Sequence, residues 1–231
     1  MNHELWTARN FRFLFLIQVP TCYHKMTIMQ LDALFSLLIL VMSVVVHEVS
    51  HGWTASYLGD PTARLQGRLT LNPLKHIDPI GSVFIPLLLY FTQAGIMFGW
   101  AKPVPVNPYN LRGKYGEALV AVAGPLSNLG LAFIFGLVVR LGGEVLPESF
   151  VHIAILAVVI NIVLAIFNLV PIPPLDGSKI LFAFLPYHLQ NVRESLERYG
   201  FFIVLVFIVF LWQYLTPVIG QFFSLFTGIS L

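Results

Sequence analysis

The chain has 231 residues, 57% of them hydrophobic and only 10% charged, with 20 phenylalanines and a mean hydropathy of +0.81; a soluble domain carries about 25% charged residues. This composition excludes an ordinary soluble protein and reads as a single membrane-embedded unit, because successive apolar runs leave no stretch where a separate soluble domain could form its own core. The formal charge of +2 is too small to argue for a nucleic-acid partner, and Cys22, the only cysteine, can neither close an intrachain disulfide nor suggest thiolate ligation of a metal.

Residues 1–30 read as an N-terminal extension. Its one apolar stretch, residues 11–19, contains Arg12 and Gln18 and ends at Pro20, too short and too polar to span a bilayer. No small-residue cleavage site precedes Tyr23, which weighs against a signal peptide, and Met26 and Met29 offer later starts for translation. The first membrane helix is expected over residues 31–53, since roughly 20 apolar residues cross the hydrocarbon core. Its last turns carry His47-Glu48-Val49-Ser50-His51. Histidines four apart on a helix share a face and can grip one Zn²⁺, while the adjacent Glu48 can take a proton from water at the metal. That is hydrolase chemistry. Ser43 and Ser50 have no base partner in the sequence that would make them nucleophiles.

In residues 64–71, polar residues fall on even positions and apolar ones, Gly67 apart, on odd positions. Period two predicts a short membrane-associated β segment, whose edge can receive an unwound substrate strand. Asn72-Pro73 and Asp78-Pro79 mark turns. Residues 80–100 are apolar but interrupted by Pro86, Gln93, Gly95 and Gly99, and both flanks are basic, with Arg64, Arg68 and Lys75 before and Lys102, Arg112 and Lys114 after. Two flanks on one side predict a re-entrant loop or hairpin. Residues 101–108 must be extended, because Pro103, Pro105 and Pro108 donate no hydrogen bonds and restrict their neighbours.

Residues 117–141 and 150–170 are the second and third spanning helices. The linker 142–149, with Glu144 and Glu148 and no lysine or arginine, is expected outside, and residues 171–200, with Lys179, Arg193 and Arg198, inside. Residues 201–231 predict one long kinked span, or two short ones around Gln213 and Pro217. The expected fold is an all-α polytopic membrane protein of about four to six transmembrane segments, divided into the extension 1–30, a core over 31–185 and C-terminal membrane helices over 186–231.

If the first helix runs inward and the third does too, their inner ends lie at one depth. A catalytic zinc takes three protein ligands and keeps a fourth position for water, so the two histidines need one more donor. Just past the third helix stands Asn168-Leu169-Val170-Pro171-Ile172-Pro173-Pro174-Leu175-Asp176-Gly177. Asp176 is the expected ligand, aimed by three prolines and followed by a glycine that permits a sharp turn. Asp78 is the second choice.

With these residues in view, the chain resembles the site-2 protease family of intramembrane zinc metalloproteases. The resemblance rests on His47 to His51, on Gly124-Pro125-Leu126-Ser127-Asn128 in the second spanning helix, and on the segment from Asn168 to Gly177. Residues 98–108, which read Phe-Gly-Trp-Ala-Lys-Pro-Val-Pro-Val-Asn-Pro, resemble the compact prokaryotic branch, and the chain leaves no room for the PDZ module many relatives carry. The resemblance implies a three-helix catalytic core, one Zn²⁺ per chain held by His47, His51 and Asp176, and cleavage of transmembrane protein substrates in the lipid bilayer. It favours Asn128 and Asn168 as donors to the substrate carbonyl or to the metal-bound water; the alternative is that these amides join helices. Asn161 and His152 read as packing residues and His76 as an interfacial side chain. A prokaryotic cell membrane with the active site toward the cytoplasm is the expected location. A membrane zinc transporter and a non-catalytic protein that binds membrane helices are the rival readings.

Overall fold

The computed structural model describes residues 26–92, 101–143, 145–186 and 189–229. The expectations for residues 1–25 and for the 93–100 part of the re-entrant segment lie outside the described residues. The helices are α1 (Met26–Tyr57), α2 (Thr62–Leu65), α3 (Ile85–Phe91), α4 (Gly116–Gly142), α5 (Glu148–Asn168), α6 (Asp176–Phe184), α7 (Gln190–Val206) and α8 (Thr216–Thr227). The chain is mostly helical, with no strand among the described residues. Among the described residues, three helices are long and apolar enough to cross a membrane: Asp32–Tyr57 within α1, then α4 and α5. These are the three firm spans expected from the sequence. Lipid offers backbone amides no partner, so apolar runs of this length must bond internally as helices.

Helix α5 lies at the centre, packed on α1, α4 and α8. Val158, Ile162, Val163 and Ile166 of α5 meet Ala132 of α4 and Ile219 and Phe223 of α8 in one buried cluster. Apolar lipid gives little hydrophobic drive between helices, so close backbone approach has to supply the contact. The buried face of α4 is accordingly rich in small residues, Ala118, Ala121, Gly124, Ala132 and Gly136. A Cβ on Gly136 would meet Phe226 Cβ at 2.7 Å, so that glycine sets the α4 to α8 spacing. The C-terminal run is broken where a π-helical turn, Phe207–Leu211, passes into a 3₁₀ turn, Trp212–Tyr214, and α8 restarts with Pro217 in its first turn.

The alternation of residues 64–71 does not become a strand. Arg64 and Leu65 end α2, Gly67 turns the chain at φ +62°, and Arg68 is buried while Leu65 and Leu71 are exposed. Burial thus runs opposite to what a β segment requires. The Arg68 guanidinium explains this, donating through Nη2 to the carbonyls of Lys102 (2.8 Å) and Pro103 (3.2 Å). His76 is likewise buried. It lies under the proline-rich segment, its Nε2 bonded to Thr70 O at 2.9 Å and its carbonyl accepting from Lys102 N at 2.8 Å.

The proline-rich segment is therefore pinned from both ends, by Arg68 at Lys102 and by Asp60 near Asn107. Asp60 is fully buried and accepts from Asn107 N (2.7 Å), Asn110 Nδ2 (3.0 Å) and both the amide and hydroxyl of Thr62. Burial alone would raise its carboxyl, but the hydrogen bonds from Asn110, Thr62 and Asn107 outweigh it and hold the group below its ordinary value of 3.8. A carboxyl lowered in the fold contributes stability at pH above its unfolded value and loses it as pH falls through the folded one. Asp60→Ala is expected to lower the unfolding midpoint at neutral pH. In parallel melts of the two proteins, the gap should narrow below about pH 3.8. A gap independent of pH would remove the carboxylate from the explanation.

Candidate metal centre

His47 and His51 stand one turn apart on α1, roughly 15 and 9 Å from its C-terminal end at 1.5 Å per residue. Asp176 opens α6, immediately after the proline-rich turn that leaves α5. That turn is closed by Val170 N donating to Phe167 O and Leu175 N to Ile172 O. Its underside packs on Val204 and Phe207. Gly177 serves it differently from the sequence expectation. Gly177 sits inside the first turn of α6, where a Cβ would overlap the backbone carbonyls of Leu169 and Val170, so the glycine permits close approach rather than a turn.

The three expected ligands, far apart in sequence, meet in space. His47 Nε2 lies 3.0 Å and His51 Nε2 3.2 Å from Asp176 Oδ2, and the two Nε2 atoms are 3.1 Å apart. All three residues are buried. Each imidazole commits its other nitrogen: His47 Nδ1–H donates to Asn128 Oδ1 at 2.6 Å and His51 Nδ1–H to Val120 O at 2.7 Å. With Nδ1 protonated, each neutral ring turns a bare Nε2 lone pair toward the carboxylate. Three such groups converging at these distances, shielded from water, form a donor set that could hold a cation.

A divalent ion fits. Ligand atoms bound at about 2.05 Å around a tetrahedral Zn²⁺ stand about 3.3 Å apart, close to the spacing seen here, and two imidazoles with one carboxylate form a recognised catalytic donor set. Lys179 Nζ, 3.7 Å from Asp176 Oδ1, engages the oxygen that faces away from the histidines.

Helix α4 closes the fourth side. A Cβ on Gly124 would lie 2.5 Å from His51 Nε2 and 2.6 Å from His47 Nε2, so only glycine lets this backbone stand against both rings. Pro125 follows inside the helix, where it removes one backbone donor. Glu48 faces the proline-rich segment, its Oε2 accepting from Val104 N at 2.8 Å. Pro103 and Pro105 have no N–H, so Val104 offers the one backbone donor among these three residues.

Other expected site residues fall differently. Asn128 is wholly buried with its amide engaged at both ends. Asn168 ends α5 half-buried, donating to Leu164 O one turn back at 2.9 Å. Asp78 caps the π-helical turn Pro79–Phe84 by accepting from Ile80 N and Gly81 N, and lies outside the His47, His51 and Asp176 group. His152 pairs with Asp32 of α1 at 3.1 Å, Ser50 donates to Val46 O, and Ser43 Oγ accepts from Asn161. The roles of Val104 N–H and Lys179 were absent from the sequence reading. For Gly124 a signal existed, because a Gly-Pro pair within a membrane helix weakens the helix unless something needs the space.

The model of "Peptidase family M50" matches residues 136–211, which take in Asp176 but not the two histidines. The protein named "Putative zinc metalloprotease YwhC" from Bacillus subtilis (strain 168) is 39% identical over 198 residues, covering 81% of this chain and 84% of that protein. "Putative zinc metalloprotease Rip2" from Mycolicibacterium smegmatis is 32% identical over 185 residues, covering 79% and 67%. Its namesake from Mycobacterium tuberculosis (strain H37Rv) is 30% identical over 167 residues, covering 72% and 63%. No solved structure matches. Identity at this level across most of both proteins carries the conclusion: the chain belongs to peptidase family M50, the site-2 proteases.

Proposed function

We propose that this membrane protein is an intramembrane zinc metalloprotease that hydrolyses peptide bonds of transmembrane proteins, with one Zn²⁺ per chain held by His47 Nε2, His51 Nε2 and Asp176 Oδ2. The observation carrying the reading is the trio of buried acceptors whose outward nitrogens are already spoken for. When bound, Zn²⁺ supplies Lewis acidity, polarising the scissile carbonyl and making water acidic enough to attack near neutral pH.

Glu48 is the general base. Its Oε2 is fixed by Val104 N–H, which leaves Oε1 to take the proton of the attacking water and return it to the leaving amine. Ser43 Oγ accepts from Asn161 of α5 and Ser50 Oγ donates to Val46 O; neither has a base partner among these bonds, and the proposed hydrolysis uses no acyl-enzyme. Asn168, the last residue of α5, is the amide assigned to the substrate backbone in this reading. Two further points complete the proposal: a prokaryotic cell membrane with the site toward the cytoplasm, where Arg64, Lys75 and Lys102 cluster in sequence around the loops, and a C-terminal unit that adds membrane segments beside the core.

Detergent-purified protein incubated with a panel of single-span substrates, with and without a zinc chelator, tests the reading. Cleavage within or beside a span, abolished by chelation and restored by zinc, is the expected result. Cleavage indifferent to the chelator would reject it.

A further inference from the structure

Behind His47 lies a hydrogen-bond chain that crosses all three spanning helices. Asn128 of α4 accepts from His47 Nδ1–H through Oδ1 at 2.6 Å and spends both N–H groups, one on Asn161 Oδ1 of α5 (2.9 Å) and one on Ser43 O of α1 (3.3 Å). Asn161 spends both of its N–H groups too, on Ala157 O and on Ser43 Oγ, each at 2.9 Å. Asn128, Asn161 and Ser43 are 0%, 1% and 3% exposed. Such groups are costly at membrane depth unless fully satisfied.

The chain has a direction. A backbone carbonyl can only accept, so Ala157 O obliges Asn161 to turn its NH₂ inward along α5 and its Oδ1 toward Asn128. That oxygen, with Ser43 O, obliges Asn128 to turn its NH₂ away from His47 and its Oδ1 toward it. An acceptor at His47 Nδ1 keeps the proton there and leaves Nε2 bare. We infer that Asn161, two hydrogen bonds removed from the ion, is a positioning residue that sets the tautomer of His47 by fixing the orientation of the Asn128 amide. Asn128 thereby supports a ligand rather than touching substrate. This rests on the ligand set proposed above, since ligating histidines draw affinity from the partner of their second nitrogen.

The test is zinc affinity, measured by chelator competition on the detergent-purified full chain, for Asn161→Leu and Asn161→Asp. Leucine copies the branching of asparagine at a larger volume but cannot hold the Asn128 amide; aspartate in its acid form still accepts from Asn128 Nδ2 and can donate to Ala157 O. Asn161→Leu should weaken zinc binding about 10- to 100-fold, and Asn161→Asp should stay within a few-fold of the unaltered chain. A residue that merely packs predicts the reverse, with leucine tolerated among apolar helices and a carboxyl not. Wild-type affinity in Asn161→Leu, or weaker binding in Asn161→Asp than in Asn161→Leu, overturns the inference. Melting of the zinc-free proteins identifies a variant that does not fold, and Asn161→Ala, with the same expected loss, then takes the place of Asn161→Leu. His47→Ala separates the two readings: if it binds zinc as the unaltered chain does, the ligand set itself falls and this inference with it.

Discussion

Replacing Glu48 by Gln is expected to cut peptide hydrolysis by about 10²- to 10⁴-fold, the usual contribution of a positioned general base, while zinc affinity stays at the level of the unaltered chain. Glutamine is close to isosteric and its Oε1 can still accept from Val104 N–H, so the proline-rich segment keeps its anchor on α1. Only the capacity to take a proton is lost. Paired measurement of turnover and chelator-competed zinc affinity checks this. The same pair separates a protease from a zinc transporter, in which nothing depends on a base beside one histidine. Unimpaired hydrolysis in Glu48→Gln would remove the residue from the mechanism; lost zinc would make it a ligand instead.

Gly124→Ala is the second large effect, and it tests the packing of the centre rather than its chemistry. The added methyl would stand 2.5 Å from His51 Nε2 and 2.6 Å from both His47 Nε2 and His51 Cε1. Neither ring can swing aside cheaply, because Asn128 and Val120 hold their Nδ1 atoms. Zinc affinity should fall by at least about 100-fold, beyond the typical cost of losing one supporting partner of a ligand, and hydrolysis should fall with it. Alanine is the better helix former by about 1 kcal/mol, so α4 itself persists and the circular dichroism of the variant should match that of the parent. Normal zinc affinity in a folded Gly124→Ala protein would mean that α4 does not stand against the rings.

The parts legible in the sequence were those written in local pattern. Uninterrupted apolar length marked α1, α4 and α5, and helical spacing put His47 and His51 on one face. Asp176 was reachable because loop charges assigned sides to the helices, and the sides put its turn level with the histidines. Alternation in residues 64–71 misled because Arg68 is buried by a long-range bond to the carbonyls of Lys102 and Pro103, which a period-two pattern cannot register. Asn161 was indistinguishable from an amide that joins helices, since its distinguishing property is the direction of its hydrogen bonds and not its position. Gly177 was correctly marked as necessary for the wrong reason: the constraint comes from the backbone of Leu169 and Val170, brought close only by the fold.

The most direct measurement is the zinc content of purified protein, by elemental analysis after removal of loosely held metal, for the unaltered chain and for Asp176→Ala. One zinc per chain in the first and none in the second is the predicted outcome. A full complement of equally chelator-resistant zinc in Asp176→Ala would show that the carboxylate beyond α5 is no ligand, and that the convergence of His47, His51 and Asp176 does not make the metal site.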